Sequence, residues 1–279
     1  MTYRSIFVHV DDSDQTDLRL DAATRLARHY PAELTGAYIV STRDLTATES
    51  ALLPPDLVKT RMGTLAQAQK DAEKRFRTAG AAAGVKSLQW RAPAGDPLEA
   101  AVLQARYSDL AVIGQPEHKG PDAAFSAGLA NAVVMDSGRP VLMIPYIGAA
   151  KTLGERILIA WKDSRESARA VADALPFLKD AKAVLAIAVS PRADESVQEY
   201  VSDKAVEGFL RRHDVDATVN RMVAPDIASG EFLLSRAADF GADLIVMGGY
   251  SRPRLSRFVW GGVSNLMLES MTVPVLMSH

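Results

Sequence analysis

Hydrophobic positions in this chain fall into short apolar runs, separated by longer stretches whose apolar residues have helical spacing. Ser5–Val10 (SIFVHV) places Ile6, Phe7, Val8 and Val10 together, the pattern of a strand buried on both faces of a parallel sheet. Thr16–Tyr30 spaces Leu18, Leu20, Ala22, Ala23, Leu26 and Ala27 along one helical face. Further strands are predicted at Leu34–Val40, Leu88–Ala92, Asp109–Ile113 and Val141–Ile144. After a polar connection over Ser41–Pro55, a long amphipathic helix is predicted over Asp56–Ala83, with Gly84 ending it. Another helix opens at Gly95-Asp96-Pro97, where proline suits the first turn.

The pattern then restarts. Strands are predicted at Arg156–Trp161, Ala183–Val189, Ala217–Val223, Asp243–Met247 and Val273–Met277, with helices at Ser167–Leu178, Glu195–His213 and Gly230–Phe240. Ile6 matches Ile157, Asp12 matches Asp163 and Ser13 matches Ser164, all 151 residues apart. Asp109 matches Asp243, Gly114 matches Gly248 and Pro140 matches Pro274, all 134 apart. Constant spacings over separate segments mark an internal repeat. We expect an α/β fold of two repeated domains, residues 1–149 and 150–279, each a parallel sheet covered by helices on both faces. Tyr146–Leu153 reads as the linker.

Bulk properties narrow the function classes. The 279 residues carry a formal charge of -2, without the basic excess of nucleic-acid binders. The chain has no cysteine, so disulfides, thiolate metal sites and a cysteine nucleophile are excluded. No stretch reaches the length of a membrane span, and the N-terminal apolar run meets two aspartates at once, so it reads as a strand and not a signal peptide. A cytoplasmic protein is expected. The five histidines lack metal-ligand spacing and read as structural or surface residues. Serines without a paired His and Asp, and the absence of P-loop and dinucleotide fingerprints, leave no catalytic constellation.

Candidate binding chemistry concentrates in Gly241–His279. A buried strand there runs into Gly248-Gly249, then into a loop bearing Arg252, Arg254 and Arg257, then into Gly261-Gly262 and a helix start at Val263-Ser264-Asn265. Glycines let a ligand approach the backbone, and a helix start offers free N–H groups to an anion. In an open α/β sheet the ligand crevice lies at the carboxyl ends of the strands, where strand order reverses. Ala160–Asp163 after one strand, Val189-Ser190 after the next, and Gly248–Ser264 after the fourth would converge there, and Lys162 could reach a phosphate. Asp163 reads equally as a helix cap or a ligand contact, and Asp12 as a cap. Trp161 and Trp260 read as core or interface before base stacking.

The run DLIVMG–GYS–RPRLSRFVWGG–VSN, ending in VPVLM, resembles the universal stress protein family, and two copies in one chain resemble its tandem members. The resemblance covers essentially the whole chain. It implies an adenine-nucleotide-hydrolase-like, Rossmann-like fold with five parallel strands per domain. It also implies intramolecular pairing of the two domains through Val141–Ile144 and Val273–Met277, with a homodimer of the chain as an open alternative.

The family's ATP-binding branch has a glycine, two residues, a glycine, nine residues, then glycine and Ser or Thr. Here Gly248 and Gly261 keep the first and third glycines, Ser251 replaces the second, and Gly262 replaces the hydroxyl residue, with Ser264 two positions on. The resemblance thus implies ATP or a related adenine nucleotide, with or without Mg, as regulatory ligand of the second domain. Base and ribose would lie near Ala160, Trp161, Asp163, Val189 and Met247. Phosphates would lie near Gly248, Ser251, Arg252, Arg254, Gly261, Gly262, Val263 and Ser264.

The first domain keeps Gly114 but follows it with Gln115-Pro116-Glu117, and it has Ala127 where the second has Gly261. With Glu117 and Asp122 in that loop and only Lys119 as a cation, it is expected to bind nucleotide poorly or not at all. A module of the same family that works through surfaces, without nucleotide, and a slow phosphoester hydrolase are the alternatives.

Overall fold

The computed structural model describes residues 2–41, 54–117, 119–147, 152–190, 197–223, 229–249 and 262–279. The first repeat runs β1 (Ser5–Val10), α1 (Thr16–His29), β2 (Glu33–Tyr38), α2 (Pro55–Ala82), β3 (Leu88–Arg91), α3 (Pro97–Arg106), β4 (Leu110–Gly114), α4 (Ala123–Asp136) and β5 (Val141–Ile144). The second runs β6 (Arg156–Trp161), α5 (Arg165–Asp173), α6 (Leu175–Asp180), β7 (Ala183–Ser190), α7 (Val197–Arg212), β8 (Ala217–Val223), α8 (Ser229–Phe240), β9 (Leu244–Gly248), α9 (Gly262–Ser270) and β10 (Val275–Ser278). The fold is α/β, as the alternating pattern predicts.

The chain divides into two compact units, Tyr3–Ser137 and one built on Gly138–His279. In the first, the strands lie in the order β3-β2-β1-β4, all parallel. In the second, parallel strands lie in the order β10-β9-β6-β7-β8, and β5 pairs antiparallel with β10 through Met143–Val275, Leu142–Leu276 and Val141–Met277. The fifth strand of the first repeat thus lies in the second unit, in the one antiparallel pairing described. Strand order reverses between β1 and β4, and again between β6 and β9.

Ile6, Phe7, Val8, Leu110, Ala111 and Val112 are fully buried, as are Ile157, Leu158, Leu244, Ile245 and Val246. Each of these side chains larger than alanine contributes roughly 1.5–3 kcal/mol by leaving water. Unbroken apolar runs reflect burial on both sheet faces.

The matched aspartates have a physical role. The Asp109 carboxylate accepts the backbone N–H of Arg4 at 2.8 Å and of Ser5 at 3.0 Å. Asp243 accepts those of Gly154, Glu155 and Arg156 at 2.9–3.1 Å. In both repeats, therefore, a carboxylate just before the fourth strand pins the entry of the first. Gly84, at φ 74°, takes the left-handed turn that ends α2.

Three expectations need correction. The single helix predicted over Ser167–Leu178 is two, broken at Ala174. Pro176 lacks the N–H that would continue the first helix, and its ring constrains Leu175. Asp163 does not cap α5: Ser164 does, its hydroxyl accepting the Ser167 N–H at 3.3 Å. Asp12 does not cap α1, which starts after Gln15 without a side-chain cap; it accepts a hydrogen bond from the Tyr38 hydroxyl at 2.8 Å. Among the described residues no helix is long and apolar enough to cross a membrane.

Candidate functional site

A crevice at the carboxyl ends of the strands, where their order reverses, is the place a doubly wound sheet offers a ligand. In the first repeat, protein side chains meet there. Arg19, 5% exposed at its side chain, reaches back from α1 and pairs with Asp11 just after β1. Its guanidinium also donates to the His9 carbonyl at 3.1 Å and to the Thr16 hydroxyl at 2.6 Å. Asp11 further accepts the Ser13 hydroxyl at 2.6 Å and the Thr16 hydroxyl at 2.7 Å. A Cβ on Gly114 would lie 2.6 Å from Arg19 Nη1, so this glycine makes room for the guanidinium. From the neighbouring strand, buried Tyr38 adds its hydroxyl to Asp12.

The charges of this cluster are strongly tuned. Burial alone would raise the Asp11 pKa. The charges of His9 and Arg19 and the hydroxyls of Ser13 and Thr16 outweigh it, holding the carboxyl well below the usual range. His9 itself is held below its ordinary value by burial, against the opposing pull of Asp11. Neutral His9 adds no charge near pH 7, so Arg19 is the lasting partner of Asp11. His9 Nε2 carries the proton and donates to the Ile39 carbonyl at 2.7 Å. Burial, reinforced by the hydrogen bond to Asp12, raises the Tyr38 pKa and keeps the phenol protonated.

In the second repeat the same positions carry different chemistry. At the spacing of 151, Asp11 becomes Lys162, Asp14 becomes Arg165, and Arg19 becomes Ala170. By strand register, Tyr38 beside Val10 becomes Ala188 beside Trp161. Lys162 and Arg165 are exposed, while Ala170 and Ala188 are buried small residues. An acidic loop around a buried arginine is thus replaced by a loop with two exposed cations and no plug.

Gly248 also differs from its twin. A Cβ there would lie 2.6 Å from the Ser167 backbone nitrogen and 2.7 Å from the Glu166 carbonyl carbon. The glycine lets the start of α5 press onto the end of β9. The Gly249 N–H donates to the Ser278 carbonyl at 2.8 Å, so that donor is engaged within the protein. What fits an anion here is the side-chain charge of Lys162 and Arg165. Among the described residues no group of three His, Asp or Glu could hold a metal ion.

Of the expected site residues, Ala160 and Trp161 are half-buried at the end of β6, and Asp163 is exposed in the following loop. Ala160 lies beside Met247 across the β6–β9 pairing, and Met247 is buried. Val189 sits one residue beyond Ala188 in β7. Gly262, Val263 and Ser264 open α9, with Val263 exposed and Ser264 buried. Ser251, Arg252, Arg254 and Gly261 lie outside the described residues, as do Arg257 and Trp260. Sequence reasoning missed Arg19 and Arg165, although subtracting the repeat spacing exposes both. It also missed His279, whose imidazole lies 3.2 Å from the Gly249 carbonyl.

Comparison with known proteins accords with this architecture. The profile of the universal stress protein family matches residues 2–145 and 154–279. A universal stress protein from Archaeoglobus fulgidus DSM 4304 superposes with a TM-score of 0.75 at 16% identity, covering 98% of this chain and 95% of its own. A putative universal stress protein from Pseudomonas aeruginosa UCBPP-PA14 gives 0.61 at 18% identity, covering 99% of this chain and 93% of its own. No curated protein matches the chain significantly. With the family profile matched twice over nearly its whole length, the chain belongs to the universal stress protein family and carries two copies of its domain.

Proposed function

We propose that the second repeat binds ATP or a related adenine nucleotide as a regulatory ligand, and that the first does not. One observation carries this reading: the Arg19–Asp11 pair stands at the strand-order reversal of the first repeat, where the second has Ala170 and Lys162. A triphosphate at the first crevice would meet Asp11, Asp12 and Asp14 beside the single cation Arg19; at the second it would meet the two cations Lys162 and Arg165, with Asp163 and Glu166. Base and ribose would lie near Ala160, Asp163 and Val189, and phosphates near the turn that begins at Gly248. Mg would accompany the phosphates as it does free ATP. A ligand drawn from the nucleotide pool would suit a cytoplasmic protein. The two repeats would pair through their closing strands, a reading supported by the antiparallel ladder of β5 and β10.

The test is to transplant the plug. Calorimetric titration of the wild-type chain with ATP should give one binding event. The double variant Lys162→Asp/Ala170→Arg should lose at least about a hundredfold in affinity, close to 2.7 kcal/mol. Absence of heat in the wild type, or unchanged affinity in a folded double variant, would sink the reading.

A further inference from the structure

Arg165 is an exposed cation that is nonetheless held from two sides. Its Nε donates to the Glu166 carboxylate at 2.5 Å, and its Nη2 lies 3.3 Å from His279 Nε2. His279 Nδ1 lies 3.2 Å from the Gly249 carbonyl. A carbonyl only accepts, so Nδ1 carries the proton and Nε2 is left as the acceptor for Arg165. The Gly249 N–H is tied in turn to the Ser278 carbonyl at 2.8 Å. The guanidinium therefore spans from the start of α5, across the glycine turn after β9, to the end of β10.

This bridge has no counterpart in the first repeat, where Asp14 and Pro145 stand at the positions of Arg165 and His279. Its side chain is 78% exposed, so an incoming ligand can reach it. Both partners hold it by single contacts, whereas a phosphate oxygen pair would engage the guanidinium fork in two parallel bonds.

We propose that Arg165 is a phosphate-binding residue of the second repeat, parked between Glu166 and His279 until a phosphate-bearing ligand takes it over. Glu166 and His279 are positioning residues: they hold the guanidinium over the glycine turn and yield it to the stronger anion. The ligand class is a di- or triphosphate ester. The proposal rests on the nucleotide reading above and adds to it a residue outside the glycine motif.

The experiment uses the full chain, with ATP and adenosine as probes, adenosine being measured by competition. Arg165→Gln should weaken ATP about tenfold while adenosine changes less than twofold, and Arg165→Lys should recover part of the loss. In nitrogen-edited spectra of the free chain, His279 should show the Nδ1–H tautomer, and its Nε2 signal should move when ATP removes Arg165. ATP affinity unchanged in Arg165→Gln, equal weakening of ATP and adenosine, or an Nε2–H tautomer would overturn the role of Arg165 and leave the nucleotide reading intact. A wild-type chain that binds neither probe would remove both.

Discussion

The two repeats share a scaffold and differ at the same point of it. Each has a carboxylate pinning the entry of its first strand, Asp109 in one and Asp243 in the other. Each has a glycine at the end of its fourth strand, Gly114 and Gly248, that a side chain would spoil. What each glycine admits is different: the Arg19 guanidinium in the first repeat, the backbone of α5 in the second. The fold tolerates either filling because the crevice lies beyond the strand ends, where hydrogen-bonded pairing no longer constrains side chains. Beyond its first strand one repeat has an internal ion pair, Arg19 with Asp11, and the other has the exposed cations Lys162 and Arg165.

The largest effect that could break this comparison is on stability. Asp11→Asn leaves the Arg19 charge buried without its carboxylate and should cost about 3–5 kcal/mol in urea unfolding. Adding Arg19→Met should recover most of that loss, because it removes the stranded charge. A cost below about 1 kcal/mol for the single variant would mean the pair is as weak as a surface ion pair.

Acidity gives the next effect. The folded-state pKa of His9 is depressed, so as pH falls below about 6.5 the unfolded chain takes up the proton first. Stability therefore declines with pH in that window, by at most about 1.4 kcal/mol per pH unit. Asp11 is also depressed, so its contribution is present above its unfolded value near 3.9 and is lost only as pH falls below it. The second repeat has Ala160 and Lys162 at these positions and lacks both dependences. Hydrogen exchange followed from pH 7 to pH 5 should show the first repeat losing protection before the second. His9→Gln should abolish that order, and equal loss in both repeats would contradict the account.

The smallest effect sharpens the plug's edge. Tyr38→Phe removes the phenol that Asp12 accepts and should cost about 1 kcal/mol. The equivalent Ala188 has no such bond to lose.

Much of the fold could be read directly from the chain. β1, β5 and β6 occupy the residues that their apolar runs indicate, since burial on both faces leaves an uninterrupted signature. The break at Pro176 was hidden because helical spacing continues across Asp173–Leu175 while the backbone hydrogen bonds do not. Site chemistry was harder to see. Arg19 on an amphipathic helix has the ordinary appearance of a solvated residue, and only the fold turns it inward. Asp12 has the composition of a cap, yet tertiary packing gave it to Tyr38 on the next strand. The antiparallel pairing of β5 depends on contacts far apart in sequence, which no local pattern carries. Arg165 was legible by one route alone, the subtraction of one repeat from the other.

The most direct test of the central claim is the number of nucleotides held per chain. Native mass spectrometry of the intact protein titrated with ATP should show a single adduct per chain that saturates at one. A second adduct of similar affinity would mean that the Arg19–Asp11 pair does not close the first repeat. No adduct at any concentration would contradict the nucleotide reading of the second repeat.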